Sequence, residues 1–329
     1  WSRDHSKLKV CLSTTHYPSL TKSPSSSSSL ARDFQPKKLQ HTWLTTTALA
    51  SPYSLQHYFS CQDLARSPQT NLVMNTKSSW DSRDIGGAHL YLADGTPILL
   101  ITAAGEETCT NGMVTAIFLP NQTFSKPIPP SLCHLKNLTY LDLSYNNFST
   151  SFPTVVYNCS NLKYLDLSNN AFAGQLTADI NSLSAKLEHL NLSANRITGK
   201  IPASIGQFPL LKSLRLDTNQ FDGSYPAHNI SNLASLEVLT LAENPFLPAA
   251  VPVEFGKLTR LTYLWVSGMN MTREIPESLS SLTELSLLAM NNNMLQGTIP
   301  TWVWQHKKLQ YFYMYSNSFT GRFHPVSLP

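Results

Sequence analysis

Two aspartates, Asp142 and Asp166, sit in the same five-residue phrase, "YLDLS", 24 residues apart. If both phrases lie on neighbouring strands of one sheet, the carboxyls stand ~4.8 Å apart. That is close to the ~5–5.5 Å between the two carboxyl groups of a retaining glycoside hydrolase. His189 opens the next such phrase, "HLNLS", and places a proton carrier beside Asp166. Whether these groups can turn over a substrate depends on what holds them, because acid–base chemistry needs a pocket that positions the reacting atoms and limits water.

What holds them is a repeat. The pattern LxxLxLxxNxF starts at Leu138, Leu162, Leu187, Leu211, Leu236, Leu261, Leu285 and Leu309, at intervals of 24 or 25 residues, and a partial unit begins at Val114. Neither the helical period nor strict alternation accounts for this spacing, whereas a fixed period of 20–50 residues is the signature of a solenoid. The pattern predicts an α/β-type leucine-rich-repeat superhelix with a concave parallel β-sheet. In each turn LxxLxL forms a short strand whose leucines point inward, each worth ~1.5–3 kcal/mol when buried. Asn146, Asn170, Asn195, Asn219, Asn244, Asn293 and Asn317 follow at the inward bend, where an amide can satisfy buried backbone groups. They are expected to form a ladder. At the equivalent rung stands Met269, a poor hydrogen-bonding group, so an adjustment that displaces Asn270 by one is expected there. The Gly-x-Ile-Pro pieces ("GKIP", "GTIP", and "REIP" without glycine) fit a second, outer edge strand, where proline's missing donor does little harm.

On an open curved sheet the two aspartates have no cleft, and "LDLS" is the ordinary wording of the unit. Binding, not catalysis, is expected, and the chain is not expected to be an enzyme. The variable positions of the strands face the concave surface. Tyr263, Trp265, Tyr311, Tyr313 and Tyr315 gather on repeats seven and nine with Leu287 and Ala289 between them. Aromatics offer large contact area with few rotors to freeze, which suits a partner-binding surface. Arg215 and Asp217 lie on the same face.

The flanking sequence narrows the class further. A net charge of +4 and the lack of a basic run interleaved with aromatics argue against nucleic acid. No stretch reaches the ~20 apolar residues of a membrane-spanning helix, and "PILLITAAG" is far too short. Residues 1–71 are rich in Ser, Thr, Pro and Gln and are expected to be disordered. Residues 72–113 read as a degenerate N-terminal cap, and 114–329 as about nine repeats, truncated at the C-terminal side. The chain opens on Trp1 without the layout of a secretory signal, so either an incomplete N-terminus or an abnormal coding start is expected. Five cysteines (Cys11, Cys61, Cys109, Cys133, Cys159) show no metal-binding spacing. Cys133 and Cys159 occupy different positions within the unit, and buried reduced thiols are expected there. No metal or cofactor is implied.

The 24-residue period with Ile-Pro resembles the plant extracellular leucine-rich repeats. More narrowly, "CTNGMVTAIFLPNQTFSKPIPPSLCHLKNLTYLDLSYN" and "YNCSNLKYLDLSNNAFAGQL" resemble the ectodomain of HAESA-like receptor kinases. The likeness covers roughly 109–323, and weakly "LVMNTKSSW" at 72–80. It implies a secreted peptide ligand lying along the concave face, a co-receptor kinase closing over it, and a place at the extracellular face of the plasma membrane or in the apoplast. It also implies a Cys-x-Trp-x4-Cys cap; Cys109 matches its second cysteine, but Thr102 and Ala104 stand where the first cysteine and the tryptophan belong. The family's Arg-x-Arg grip on the peptide's C-terminus belongs to later repeats, and Arg215 with Asp217 is Arg-x-Asp instead. Two alternatives remain open: a secreted defence protein that inhibits a cell-wall hydrolase, and a non-functional fragment of a faulty gene model. Seven N-x-S/T sequons (Asn121, Asn137, Asn147, Asn158, Asn191, Asn229, Asn270) agree with a secretory route. A glycan on Asn191 would cover the early concave repeats and leave the aromatic ones accessible.

Overall fold

The computed structural model describes residues 113–321, with short strand segments at 9–11, 89–91, 97–99 and 109–110. The expectations of disorder over 1–71 and of a degenerate cap over 72–113 fall, apart from those segments, outside the described residues. So does the state of the Cys109 side chain.

The repeat phrases form nine short parallel strands: β1 (Ala116–Phe118), β2 (Tyr140–Asp142), β3 (Tyr164–Asp166), β4 (His189–Asn191), β5 (Ser213–Arg215), β6 (Val238–Thr240), β7 (Tyr263–Trp265), β8 (Leu287–Ala289) and β9 (Tyr311–Tyr313). They pair in chain order in one ten-stranded sheet whose remaining member, Lys9–Cys11, lies beyond β9. The register never slips: Leu141, Leu165, Leu190, Leu214, Leu239, Leu264, Leu288 and Phe312 are successive Cα partners. All eight side chains are completely buried and form one continuous row of the core. A one-residue slip would turn this row to solvent, so the hydrophobic pattern pins the pairing.

The asparagines run along the inside of the bend. Asn195 is typical: its Nδ2 donates to the carbonyls of Leu167, Leu192 and Ser193, and its Oδ1 accepts from the Phe172 amide at 3.0 Å. Asn146, Asn170, Asn219, Asn244, Asn293 and Asn317 make the same pattern between their own turns. The residue just ahead of each rung holds a left-handed backbone, with φ between 53° and 60° from Tyr145 to Ser316. Seven of these eight residues carry a side chain, a conformation that costs ~1–2 kcal/mol each and that the amide ladder offsets. The exception is Gly268, ahead of Met269.

At that rung Met269 is fully buried and makes no ladder bond through its side chain. The carbonyls of Leu241 and Val266 each keep one amide donor, from Asn244 and Asn293, and the Phe246 amide turns to the carbonyl of Asn244. Asn270, one position on, donates its Nδ2 to the Phe246 carbonyl at 2.9 Å. In other turns a backbone amide fills that role, as Arg196 N does toward Phe172 O.

Away from the concave sheet each turn closes through a five-residue 3-10 helix, as in Ala203–Gln207 and Glu277–Ser281, or a short α-helix, as in Thr301–Gln305. Here the structure corrects the reading of Gly-x-Ile-Pro. Two of the outer strands, Arg196–Gly199 and Met294–Gly297, end on the glycine of this piece. Ile201 and Ile275 are buried below, and Pro202, Pro276 and Pro300 lie at the helix N-termini. A proline just ahead of the first helical turn fits because its fixed φ suits that entry and the missing N–H has no helical partner to lose. In the outer strand Met271–Arg273 the glycine's place is taken by Arg273, at φ 66°.

Cys133 and Cys159 form a disulfide with Cα atoms 4.7 Å apart, against the expectation of reduced thiols. Their separation of 26 residues is two more than the repeat, yet successive helices stack closely enough to bring those offset positions within reach.

Candidate ligand-binding face

The strands give the concave surface two unlike halves. On β2 to β4 it is polar. The rings of Tyr140 and Tyr164 stack with centroids 4.1 Å apart, and His189 continues the row 5.6 Å further on. Below them Asp142 and Asp166 are buried and in register. Each carboxylate accepts the amide two residues on, from Ser144 at 2.9 Å and from Ser168 at 2.8 Å. Asp166 is also bonded by Asn191 Nδ2 at 2.8 Å. Burial, with the charge of Asp166 adding to it, pushes Asp142 up to about 6. Burial likewise raises Asp166, against the pull of its donors and of Arg215, and lowers His189.

Asn191 is therefore occupied. Its Oδ1 accepts from the amide and hydroxyl of Ser193, and its Nδ2 holds Asp166. A glycan there would replace one hydrogen of an amide nitrogen that already donates to Asp166. Asn121, Asn147, Asn158 and Asn270 are exposed, whereas Asn137 and Asn229 are half-buried.

Arg215 and Asp217 mark the middle. Arg215 is half-buried on β5, and Asp217 is buried with the Thr240 hydroxyl bonded to its Oδ1. Burial raises Asp217 while Arg215 and Thr240 lower it. The floor beside them is made of small buried groups, Ser213, Thr240 and Ala242.

On β7 to β9 the face is apolar. Leu287 and Ala289 are nearly buried, at 5% each, and so form a floor rather than a protrusion. Tyr263 and Trp265 flank it on one side, Tyr311, Tyr313 and Tyr315 on the other, all half-buried. The rings of Tyr311 and Tyr313 lie nearly parallel, 6.4 Å apart. The Tyr263 phenol is pushed up to about 12 by burial; Arg215 opposes that shift, and Asp217 and Tyr313 add to it. The structure thus brings the five aromatics and the Arg215–Asp217 pair onto one continuous surface.

Of the Tyr140–Tyr164–His189 row, the sequence drew attention to His189 alone, as a neighbour of Asp166, and not to the two tyrosines as part of a site. It shares the strand position of Tyr263 and Tyr311, which is the signal that marks it. Asp142 Oδ1 and both carboxylate oxygens of Asp166 accept hydrogen bonds, from Ser144, Ser168, Asn191 and the Tyr164 hydroxyl. Among the described residues no group of three or more His, Cys, Asp or Glu could hold a metal ion.

A family model described as "Leucine-rich repeat region" matches residues 122–324. The chain is 44% identical over 79 residues to "Receptor-like protein 52" of Arabidopsis thaliana, across 24% of this chain and 10% of that protein. The crystal structure of the Arabidopsis receptor kinase HAESA, in complex with the peptide hormone IDA and the co-receptor SERK1, is similar with a TM-score of 0.62 at 36% identity, covering 64% of this chain and 36% of that one. The plant peptide hormone receptor RGFR1, in complex with RGF2, is similar with a TM-score of 0.55 at 29% identity, covering 64% and 37%. The chain spans about a tenth of that curated relative and under two fifths of these two solved chains.

Proposed function

The chain belongs to the leucine-rich repeat region family, with the likeness to plant receptor ectodomains that its motifs led one to expect, and on that premise we propose that its concave face binds an extended peptide. The observation that carries this reading is the aromatic surface of Tyr263, Trp265, Tyr311, Tyr313 and Tyr315 over the Leu287–Ala289 floor. A peptide crossing β5 to β9 spans four strand intervals of ~4.8 Å, about the reach of six extended residues. Its apolar side chains would dock on repeats seven to nine, and its polar part would run toward Arg215. The residues of this face bind and do not catalyse, and a co-receptor kinase is the second partner, by likeness to the HAESA complex. The Cys133–Cys159 disulfide supports an oxidising, extracellular setting.

The test is selection of peptides on the full chain from a random twelve-residue display library, followed by calorimetric titration. Trp265→Ala and Tyr313→Ala should each weaken the selected peptides at least tenfold, the loss expected at an aromatic hot spot. Arg196→Ala, on the exposed outer strand, should not. Equal affinity for the parent and the two aromatic variants, or failure to select any peptide, would overturn the proposal.

A further inference from the structure

We infer that the N-terminal strand Lys9–Cys11 seals the edge of β9, covering the backbone groups that this strand turns away from β8. Every concave strand pairs in parallel with its neighbour over three residues, and Lys9–Cys11 repeats that geometry. Lys9, Val10 and Cys11 are the Cα partners of Tyr311, Phe312 and Tyr313, just as Leu287, Leu288 and Ala289 are on the other side of β9. Val10 thus stands at the register position of the leucine row. The sequence agrees with the placement: "KVCLS" at 9–13 follows the pattern of "YLDLS" at 140–144, an aliphatic residue at the second position and Leu-Ser at the end. An isolated unit has no period, which is why a search for repeats passes over it.

The backbone of β9 offers that pairing. Tyr311 N donates to Ser286 O and Tyr313 O accepts from Met290 N, so both residues turn their backbone groups toward β8. By the alternation of a strand, the N–H and C=O of Phe312 face the opposite side, where Lys9–Cys11 lies. "YFY" has neither charge nor proline to discourage pairing with another chain, the devices that usually blunt an exposed edge. The inference does not rest on the peptide-binding proposal.

Residue-resolved amide exchange on the full chain tests it. The Phe312 amide should be strongly protected in the parent. Val10→Pro should speed its exchange tenfold or more, since proline cannot keep a ladder position, while Tyr311, bonded to β8, changes less than twofold. A Phe312 amide that exchanges freely in the parent, or stays protected in Val10→Pro, overturns the inference. As an independent check, Tyr313→Cys in the full chain should form a disulfide with Cys11, because paired strands lie within disulfide reach. An introduced thiol that stays reduced, or joins Cys61 or Cys109, also overturns it.

Discussion

Replacing Asp142 by asparagine should stabilise the protein at neutral pH and do so less in acid. In the folded state burial and the neighbouring Asp166 raise the Asp142 carboxyl from 3.8 to about 6. A carboxyl raised on folding binds protons more tightly in the folded chain, so its contribution to stability falls as pH rises from ~4 through ~6 and is flat beyond. At ~1.36 kcal/mol per pH unit the shift corresponds to at most roughly 3 kcal/mol at neutral pH, and to less on a face that water can reach. Asparagine removes the charge but keeps the carbonyl that accepts the Ser144 amide. The protein already makes this exchange two strands away, where Asn191 accepts the Ser193 amide and donates to Asp166. Urea denaturation followed by tryptophan fluorescence at pH 4.5, 5.5, 6.5 and 7.5 gives the difference between variant and parent. That difference should be smallest at pH 4.5, where about a third of the effect is already present, and grow by ~1–2 kcal/mol in favour of Asp142→Asn by pH 7.5. A variant less stable than the parent at pH 7.5, or a difference that does not grow with pH, would refute the reasoning.

Three further outcomes follow from the ladder and the turns. Asn195→Ala strips the Phe172 amide of its acceptor, while Leu167 O and Leu192 O keep donors from Asn170 and Asn219; a loss of about 2–4 kcal/mol is expected in urea denaturation, and under ~0.5 kcal/mol would contradict the ladder's role. Arg273→Gly relieves a left-handed residue at a place where Gly199 and Gly297 stand in other turns, and should add about 0.5–1 kcal/mol, read as a higher thermal midpoint. Cys133→Ser opens a disulfide of separation 26 and should cost about 3 kcal/mol, a deficit that disappears when the parent is measured under reducing conditions.

The fold was legible in the sequence because it is written eight times. The LxxLxLxxN pattern states the strand, the inward row and the bend of every turn, and the structure adds few surprises to them. The Ile-Pro segment was misplaced because proline at the start of a short helix and proline on an edge strand share one local signature. The Cys133–Cys159 bridge was misjudged because a 26-residue separation says nothing about distance until the stacking of successive helices is known. Leu287 and Ala289 could be read as members of the aromatic patch, but not as its floor.

Residue order alone therefore determined the period, the core row, the amide rungs and which side chains share the concave face, because each depends on chain neighbours repeated at a fixed interval. The structure decided how those rows act on each other across turns. It sets Asp142 against Asp166, ties Asn191 to Asp166, places Tyr263 in the field of Arg215 and Asp217, and brings Lys9–Cys11 to the edge of β9. Such contacts depend on distances and burial between residues about 24 to 300 positions apart, which only the stacked solenoid defines.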